Sequence, residues 1–269
     1  TSVTKLKGSP PSFSLRFLGQ EVAEIRVYKN GEVKLAVTKQ HVQWNKNYFN
    51  LNFNRNGFIV DWNSNTAKQF RDQFKLKRKQ KVNTHSLEHQ IESEIINSMR
   101  KSSKNTFLTN IQPILVADCP LQIPVPIKGA SGIPEKSVRG GNIDILARRG
   151  FGKNALVSVW ELKRPGLTNR ELIKATRQSI IYASTIALVL RSASGQEWYN
   201  LFGFNSNIPK KLKIEAILTI ATRDQPSFDV AIKKIPTNSK LFIQNDIIVP
   251  YVAYYDDYTY KIKKIDPIK

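Results

Sequence analysis

The chain predicts an α/β (α+β) fold, a central mixed β-sheet flanked by helices with a β-rich region at its N-terminal side. Three observations carry this. Residues 1–80 alternate apolar and polar side chains around a Gly-containing turn. Apolar residues then recur at the spacing of one helical face. After that, short apolar runs of strand length alternate with one longer helical stretch. The chain has 269 residues and 41% apolar content, enough for one large domain or two small ones with a buried core.

Within residues 1–80, "EIRVYKNGEVKLAV" alternates on both sides of Asn30-Gly31 and predicts a hairpin with a type I′ turn. "YFNLNF" and "GFIVDW" read as further short strands. This region holds 15 Lys+Arg against 5 acids, a balance of +10. It ends in "FKLKRKQK", Phe74 to Lys81, whose Lys75, Lys77, Arg78 and Lys79 form either a solvated linker or a phosphate-contacting arm. The sequence thus divides into a basic β-rich region, 1–80, and a core, 81–269.

The core opens with a helix from about Ser86, where Leu87, Ile91, Ile95 and Met99 share a face. The Pro- and Gly-rich "CPLQIPVPIKGASGIPEK" follows as a loop that crosses the surface or wraps the core. "NIDILAR" (Asn142 to Arg148) and "LVSVWELKR" (Leu156 to Arg164) are strands joined by the turn "RGFGKN". Pro165-Gly166 stops the second strand, and Thr168 or Asn169 caps a helix that runs to about Ala183. "IALVL", "KIEAILTIA" and the alternating tail "IIVPYVAYYDDYTYKIKKI" read as strands.

Charge is the strongest bulk signal. Lys+Arg number 42 against 21 acids, a net +21. That excess suits a polyanion, and nucleic acid is the commonest one. The longest apolar run, Ile186 to Leu190, is far too short to span a bilayer, and no secretory segment opens the chain. Cys119 is the single cysteine, which excludes an internal disulfide and argues against a thiolate zinc cluster. The expected setting is cytoplasmic. There is no P-loop, since Gly152-Lys153 is followed by Asn154 without the upstream glycine pattern. No G-x-S-x-G, dinucleotide fingerprint or zinc-finger spacing occurs either.

The chemistry concentrates in the two central strands. Reflecting the chain about Phe151-Gly152 sets Asp144 opposite Val159. Asp144 and Glu161 are then diagonal neighbours on one face, roughly 7–8 Å apart, close enough to share one cation. Lys163, two residues beyond Glu161, projects from the same face. A one-residue slip of register would break this arrangement. Paired carboxylates with hard oxygen atoms suit Mg²⁺, for which Mn²⁺ substitutes. Taken singly, each residue has a bland reading: Glu-x-Lys is a common tripeptide, and a strand Asp is often a surface ion pair.

In combination these residues resemble the PD-(D/E)xK nucleases, the restriction-endonuclease-like superfamily. The resemblance rests on Glu92, on Asp144 in "GGNIDILAR", and on Glu161 and Lys163 in "VWELKRPG". Gln178 and Tyr182 in "RQSIIYA" are similar to the Q-x-x-x-Y of some branches. It covers about 85–185, and Ile143 stands where a Pro would precede Asp144.

It implies a restriction-endonuclease-like core and Mg²⁺-dependent cleavage of DNA, of restriction or other defence type. Asp144, Glu161 and the Leu162 carbonyl would ligate the metal, and Lys163 would be the catalytic lysine. Glu92, or its rival Glu88 one turn earlier, would orient water or hold a second metal. Gln178 would lie near the metal and Lys174 near phosphate, although Lys174, Gln178 and Tyr182 also read as an exposed polar ridge with Tyr182 half-buried. A homodimer and a methyltransferase or helicase partner fit the resemblance, and the N-terminal region would grip the DNA. The alternative in a different class is a DNA-binding or assembly protein that does not cut.

One competing motif remains. His85, Glu88 and His89 spell the H-x-x-E-H of inverted zinc metallopeptidases. That chemistry needs a third carboxylate on a helix, and the only well-spaced candidate, Glu161, reads as strand. It also leaves the net charge without a purpose.

Overall fold

The structure is a computed structural model that describes residues 3–4, 12–17, 20–79, 87–101, 106–116, 119–121, 123, 125, 142–152, 155–234 and 240–268. The chain divides into two compact units, 1–89 and 90–269, so the division falls in the first turn of a helix rather than at residue 80.

The first unit is a five-stranded antiparallel sheet with two helices. Strands β1 (Val3–Thr4), β2 (Ser12–Phe17), β3 (Gln20–Val27), β4 (Val33–Thr38) and β5 (Gly57–Asp61) pair in chain order. Helix α1 (Lys39–Phe49) lies between β4 and β5, and α2 (Asn65–Lys79) follows β5.

The β3–β4 hairpin forms as expected, but its turn differs. The Tyr28 N–H donates to the Glu32 carbonyl at 2.8 Å and the Gly31 N–H to the Tyr28 carbonyl at 3.0 Å. That leaves a three-residue loop with Gly31 alone at positive φ, +83°. A type I turn followed by a left-handed Gly matches the strand twist as a type I′ turn does, at the cost of one extra residue.

"GFIVDW" is strand β5, whereas "YFNLNF" is not a strand. Tyr48 and Phe49 close α1, and Asn50 ends it in the left-handed region at φ 54°. The buried face of α1 is His41, Asn45 and Phe49. Two of those three are polar, so apolar periodicity could not reveal the helix. Asn45 answers its burial by donating to the carbonyls of Val22, at 2.6 Å, and His41, at 2.8 Å. "FKLKRK" is the end of α2 rather than a linker, anchored by Ala67, Phe70 and Phe74 at helical spacing. Gln80 and Lys81 lie outside the described residues.

The second unit is a mixed sheet between helices. It comprises β6 (Ile111–Pro113), β9 (Ile145–Arg149), β10 (Leu156–Leu162), β11 (Lys213–Ala221), β12 (Leu241–Ile243), β13 (Asp246–Tyr255) and β14 (Ile262–Pro267). Its order is β12-β13-β11-β10-β9-β6, with β14 also on β13. Strands β10, β11 and β13 run parallel, and every other pairing is antiparallel.

Helix α3 (Leu87–Arg100) precedes the sheet, and α4 (Asn169–Leu190) connects β10 to β11. Side chains of β10 alternate between the two faces. Val157 and Val159 pack with Tyr182, Ala183 and Ile186 of α4. Trp160 and Leu162 pack with Ile91, Ile95 and Met99 of α3. Buried on both faces, β10 reads as a nearly continuous apolar run. A short hairpin of β7 (Leu115–Val116) and β8 (Cys119–Pro120) leads to Leu121, Ile123 and Val125, which enter the α4-side core. The described part of the Pro-rich segment therefore wraps the core.

One element is longer than the sequence indicates. "IALVL" is the last turn and a half of α4, not a strand. A short apolar run cannot be told from buried helix by its pattern alone, and no Gly or Pro breaks the chain after Ala183. Thr168 caps this helix with Glu171, its Oγ1 accepting from the Glu171 N–H at 3.3 Å while the Thr168 N–H donates to Glu171 Oε2 at 2.9 Å. No described helix is long and apolar enough to cross a membrane.

The end of α4 is tied to the sheet through a buried acid. Asp246, 2% exposed, accepts from Arg191 Nε at 2.8 Å, Arg191 Nη2 at 2.6 Å and the Leu212 N–H at 2.8 Å. Replacing Asp246 with Ala strands the Leu212 amide and leaves Arg191 only the Pro209 and Lys210 carbonyls, and the expected loss is about 1–3 kcal/mol. Urea unfolding should read it as a lower midpoint with an unchanged slope. A midpoint equal to wild type would show that Arg191 finds other partners.

Candidate metal centre

The site is built where β9 and β10 meet. Their register pairs Ile145 with Trp160 and Leu146 with Val159. One step further, Asp144 stands directly opposite Glu161. The expected reflection was therefore two residues off, with Asp144 facing Val159. Because side chains alternate with period two, a slip of two keeps both acids on one face and brings them closer than diagonal neighbours.

Asp144 precedes the first residue of β9, and its carboxylate stands in for a ladder bond. Its Oδ2 accepts from the Leu162 N–H at 2.7 Å. In a strand, the N–H and C=O of one residue point the same way, so the Leu162 carbonyl also turns to the Asp144 side. Two carboxylates and a carbonyl thus offer hard oxygen atoms to one region.

Glu161 is 1% exposed, and Lys163 Nζ donates to its Oε1. The Lys163 backbone is held on both sides. Its N–H donates to the Thr219 carbonyl at 3.0 Å, and its carbonyl accepts from the Tyr255 hydroxyl at 2.8 Å.

Electrostatics identify the remaining neighbours. Burial raises the Asp144 carboxyl well above its ordinary range, and the negative charges of Glu161 and Glu92 push it further up. Lys163 and the Leu162 N–H pull it down without prevailing. Glu92 is a helix glutamate whose charge reaches Asp144. Ile95 and Ile96, at +3 and +4 from Glu92, are both buried, which holds that face of α3 against the sheet.

Gln178 and Tyr182 stand behind the acids. Gln178 Nε2 donates to the Tyr182 hydroxyl at 2.8 Å. Burial and then the charge of Glu161, with a smaller push from Asp144, raise the Tyr182 hydroxyl to about 12. It therefore stays neutral and adds no third negative charge. Tyr182 is 0% exposed, so it is neither half-buried nor a nucleic-acid contact: it props Gln178. Lys174, one turn before Gln178, is exposed and remains open to phosphate.

Among the basic residues of α2, Lys75 is exposed and Lys77 is partly buried. The side chains of Arg78 and Lys79 lie outside the described residues.

The H-x-x-E-H motif does not assemble a zinc site among the described residues. His85 lies outside them, Glu88 and His89 are on the first turn of α3, and Glu161 is a strand residue engaged by Lys163.

The carboxylates of Glu92, Asp144 and Glu161 are not all within 4.8 Å of one another. Among the described residues, the group of three potential ligands that does meet that spacing is Glu21, Glu24 and His41 in the first unit. That group is already committed. His41 Nδ1 accepts from the Thr38 N–H at 3.1 Å, so its Nε2 carries the proton that it shares with Glu21 at 3.2 Å. Glu24 pairs with Arg26 at 3.0 Å. The arrangement caps α1 and leaves the imidazole no lone pair for a metal.

Sequence reasoning missed Tyr255 as a support of Lys163. The two are 92 residues apart, and no local pattern links a strand tyrosine to a distant carbonyl. It also missed Asp224, which accepts the Gly166 N–H at 3.1 Å with each carboxylate oxygen and so fixes the turn after β10. Comparison with family models, with curated proteins and with solved structures finds no match to this chain.

Proposed function

We propose that the chain is a Mg²⁺-dependent deoxyribonuclease with a restriction-endonuclease-like core, cutting DNA phosphodiester bonds as an endonuclease of restriction or defence type. One observation carries this reading: Asp144 and Glu161 face each other across adjacent strands, with Lys163 on Glu161. The donor set fits a hard divalent cation, since it comprises two carboxylates and the Leu162 carbonyl, and the Asp144 carboxyl is already strained by like charge. When bound, such an ion lowers the pKa of water and neutralises charge on a scissile phosphate.

The chain's own residues do the rest. Glu161 holds the Lys163 ammonium within reach of the same region. There Lys163 orients the attacking water and stabilises charge that develops on the phosphate oxygens. Glu92 supplies a further carboxylate from α3, able to hold a water between itself and Asp144. Gln178, anchored by Tyr182, fixes the α4 side. Lys174 and the net charge of +21 favour the polyanion.

Plasmid cleavage tests this directly. The purified protein should relax or linearise DNA in Mg²⁺ or Mn²⁺ and not in EDTA. Asp144→Ala should lose at least about 10³-fold in rate, and Lys163→Ala about 10²–10⁴-fold. DNA binding without cutting in either metal would favour the non-catalytic alternative. Tyr182→Phe removes the partner of Gln178 but keeps the packed ring, and a loss of about 10–100-fold in rate or metal affinity is expected.

The pH dependence has a definite sign. An acid whose folded-state value is raised favours the protonated protein, so its stabilising share is present at low pH and is lost as pH rises through that value. A divalent cation binds the deprotonated carboxylates and displaces the proton. The rise in Tm produced by Mg²⁺ should therefore grow as pH increases above the ordinary Asp range. Scanning fluorimetry in Mg²⁺ and in EDTA measures it. A gain independent of pH, or one that survives in Asp144→Asn, would place the ion elsewhere.

A further inference from the structure

Strands β10, β11 and β13 run parallel, so the turns that follow them share one edge of the sheet, the edge that carries Glu161 and Lys163. These turns are laced together. The Tyr255 hydroxyl donates to the Lys163 carbonyl at 2.8 Å, and Thr222 Oγ1 donates to the Tyr255 carbonyl at 2.9 Å. The Gly166 N–H donates to Asp224, and Arg223 pairs with Asp257.

The turn after β13 is itself closed by Asp256. Its Oδ1 accepts from the Thr259 N–H and Oγ1, both at 2.8 Å, and from the Tyr258 N–H at 3.2 Å. The Asp256 N–H donates to the Lys261 carbonyl and the Tyr260 N–H to the Asp256 carbonyl, both at 2.9 Å. These bonds, led by those of Thr259, hold the Asp256 carboxyl down at about 2, so the turn stays closed at neutral pH.

On this fixed turn Tyr258 is 91% exposed, while Tyr254 and Tyr255 just before it are buried. A lone exposed aromatic is ordinary. One held on a rigid turn, tied through Tyr255 to the lysine of the site, is pre-organised, because its loop has little freedom left to lose on binding. Arg164, Arg223, Lys261 and Lys263 are exposed on the same turns or on the strand that follows them. The acids of these turns are engaged: Asp224 by the Gly166 N–H, Asp257 by Arg223, and Asp256 by Thr259 and by Lys263 at 3.6 Å.

We propose that Tyr258 stacks on an unpaired DNA base held beside the Asp144–Glu161 pair, with the surrounding cations on the backbone. This rests on the nuclease reading. Strand β13 is two strands from β10, roughly 10 Å away. Tyr258, on the turn after β13, therefore meets a base a few nucleotides from the scissile phosphate.

The test uses the full chain, labelled single-stranded and duplex DNA, and the variants Tyr258→Ala and Tyr258→Phe. Tyr258 touches no core, so both variants should unfold as wild type does. In EDTA, Ala should weaken DNA binding about 5–100-fold and Phe should restore it. 2-Aminopurine moved along the strand should be quenched at one position within a few nucleotides of the cut with wild type and Phe, and not with Ala. Equal binding by Ala and wild type, with no position-dependent quenching, overturns the stacking contact. If wild type cuts and Ala cuts with unchanged KM, the contact fails and the nuclease reading stands. If Tyr258-dependent binding occurs but the protein never cuts, the nuclease reading fails and the contact survives. Absence of any DNA binding overturns both.

Discussion

The bond from the Leu162 N–H to Asp144 Oδ2 is the constraint on which the site depends. Asp144 lies just outside β9, where nothing in the strand ladder holds it. Across the hairpin stands Glu161, whose negative charge adds to the burial that already raises the Asp144 carboxyl. A hydrogen bond to a charged acceptor returns about 1.5–3 kcal/mol. The Leu162 amide and Lys163 both pull the Asp144 carboxyl back down without prevailing over burial and like charge. With both present, the acids stay face to face, and the raised Asp144 carboxyl records how little margin remains.

That small margin explains the layers behind the pair. Tyr182 is buried against both acids, yet its hydroxyl, raised to about 12, carries no charge. It takes one amide hydrogen of Gln178 and so orients α4 toward the site without adding repulsion. Tyr255 does the same for the β10 end by holding the Lys163 carbonyl. Neutral hydroxyls suit this role because ionised groups behind the pair would raise the cost that Leu162 and Lys163 already meet.

The sequence made the core legible where composition and geometry agree. The alternating and continuous apolar runs of β3, β4, β10 and β11 marked the strands. Ile91, Ile95 and Met99 marked α3. Asp144, Glu161 and Lys163 could be gathered because the period of a strand survives a register error of two, whereas Glu92, on a helix, entered only through the family resemblance. The misses have physical causes. Helix α1 buries His41 and Asn45, so its inner face looks polar. The end of α4 reads as a strand because Ile186, Ala187 and Leu190 are buried in the α4-side core while its exposed side carries another apolar residue, Leu188. Tyr182 read as a surface residue because sequence spacing places it on a ridge but cannot show what covers that ridge. Tyr255 and Asp224 reach the site only through the parallel order of β10, β11 and β13, which no local pattern encodes.

The charge balance gives the nuclease reading an internal logic. On that reading, a net charge of +21 favours the approach of DNA. Its reacting point, however, holds Asp144 and Glu161 with Glu92 near, a negative region in a positive molecule. A phosphate drawn in by the overall field meets repulsion at the place where it would react. Only a divalent cation reverses the local sign, since Lys163 alone is already committed to Glu161. Attraction and chemistry are thus governed by different charges. The cationic surface can hold DNA without metal, whereas close approach of the phosphate to Asp144 requires the ion. On this logic the acids act as a gate as well as ligands, and the cost of bringing two carboxylates together, offset by a single amide and a single lysine, is what makes the gate respond to metal.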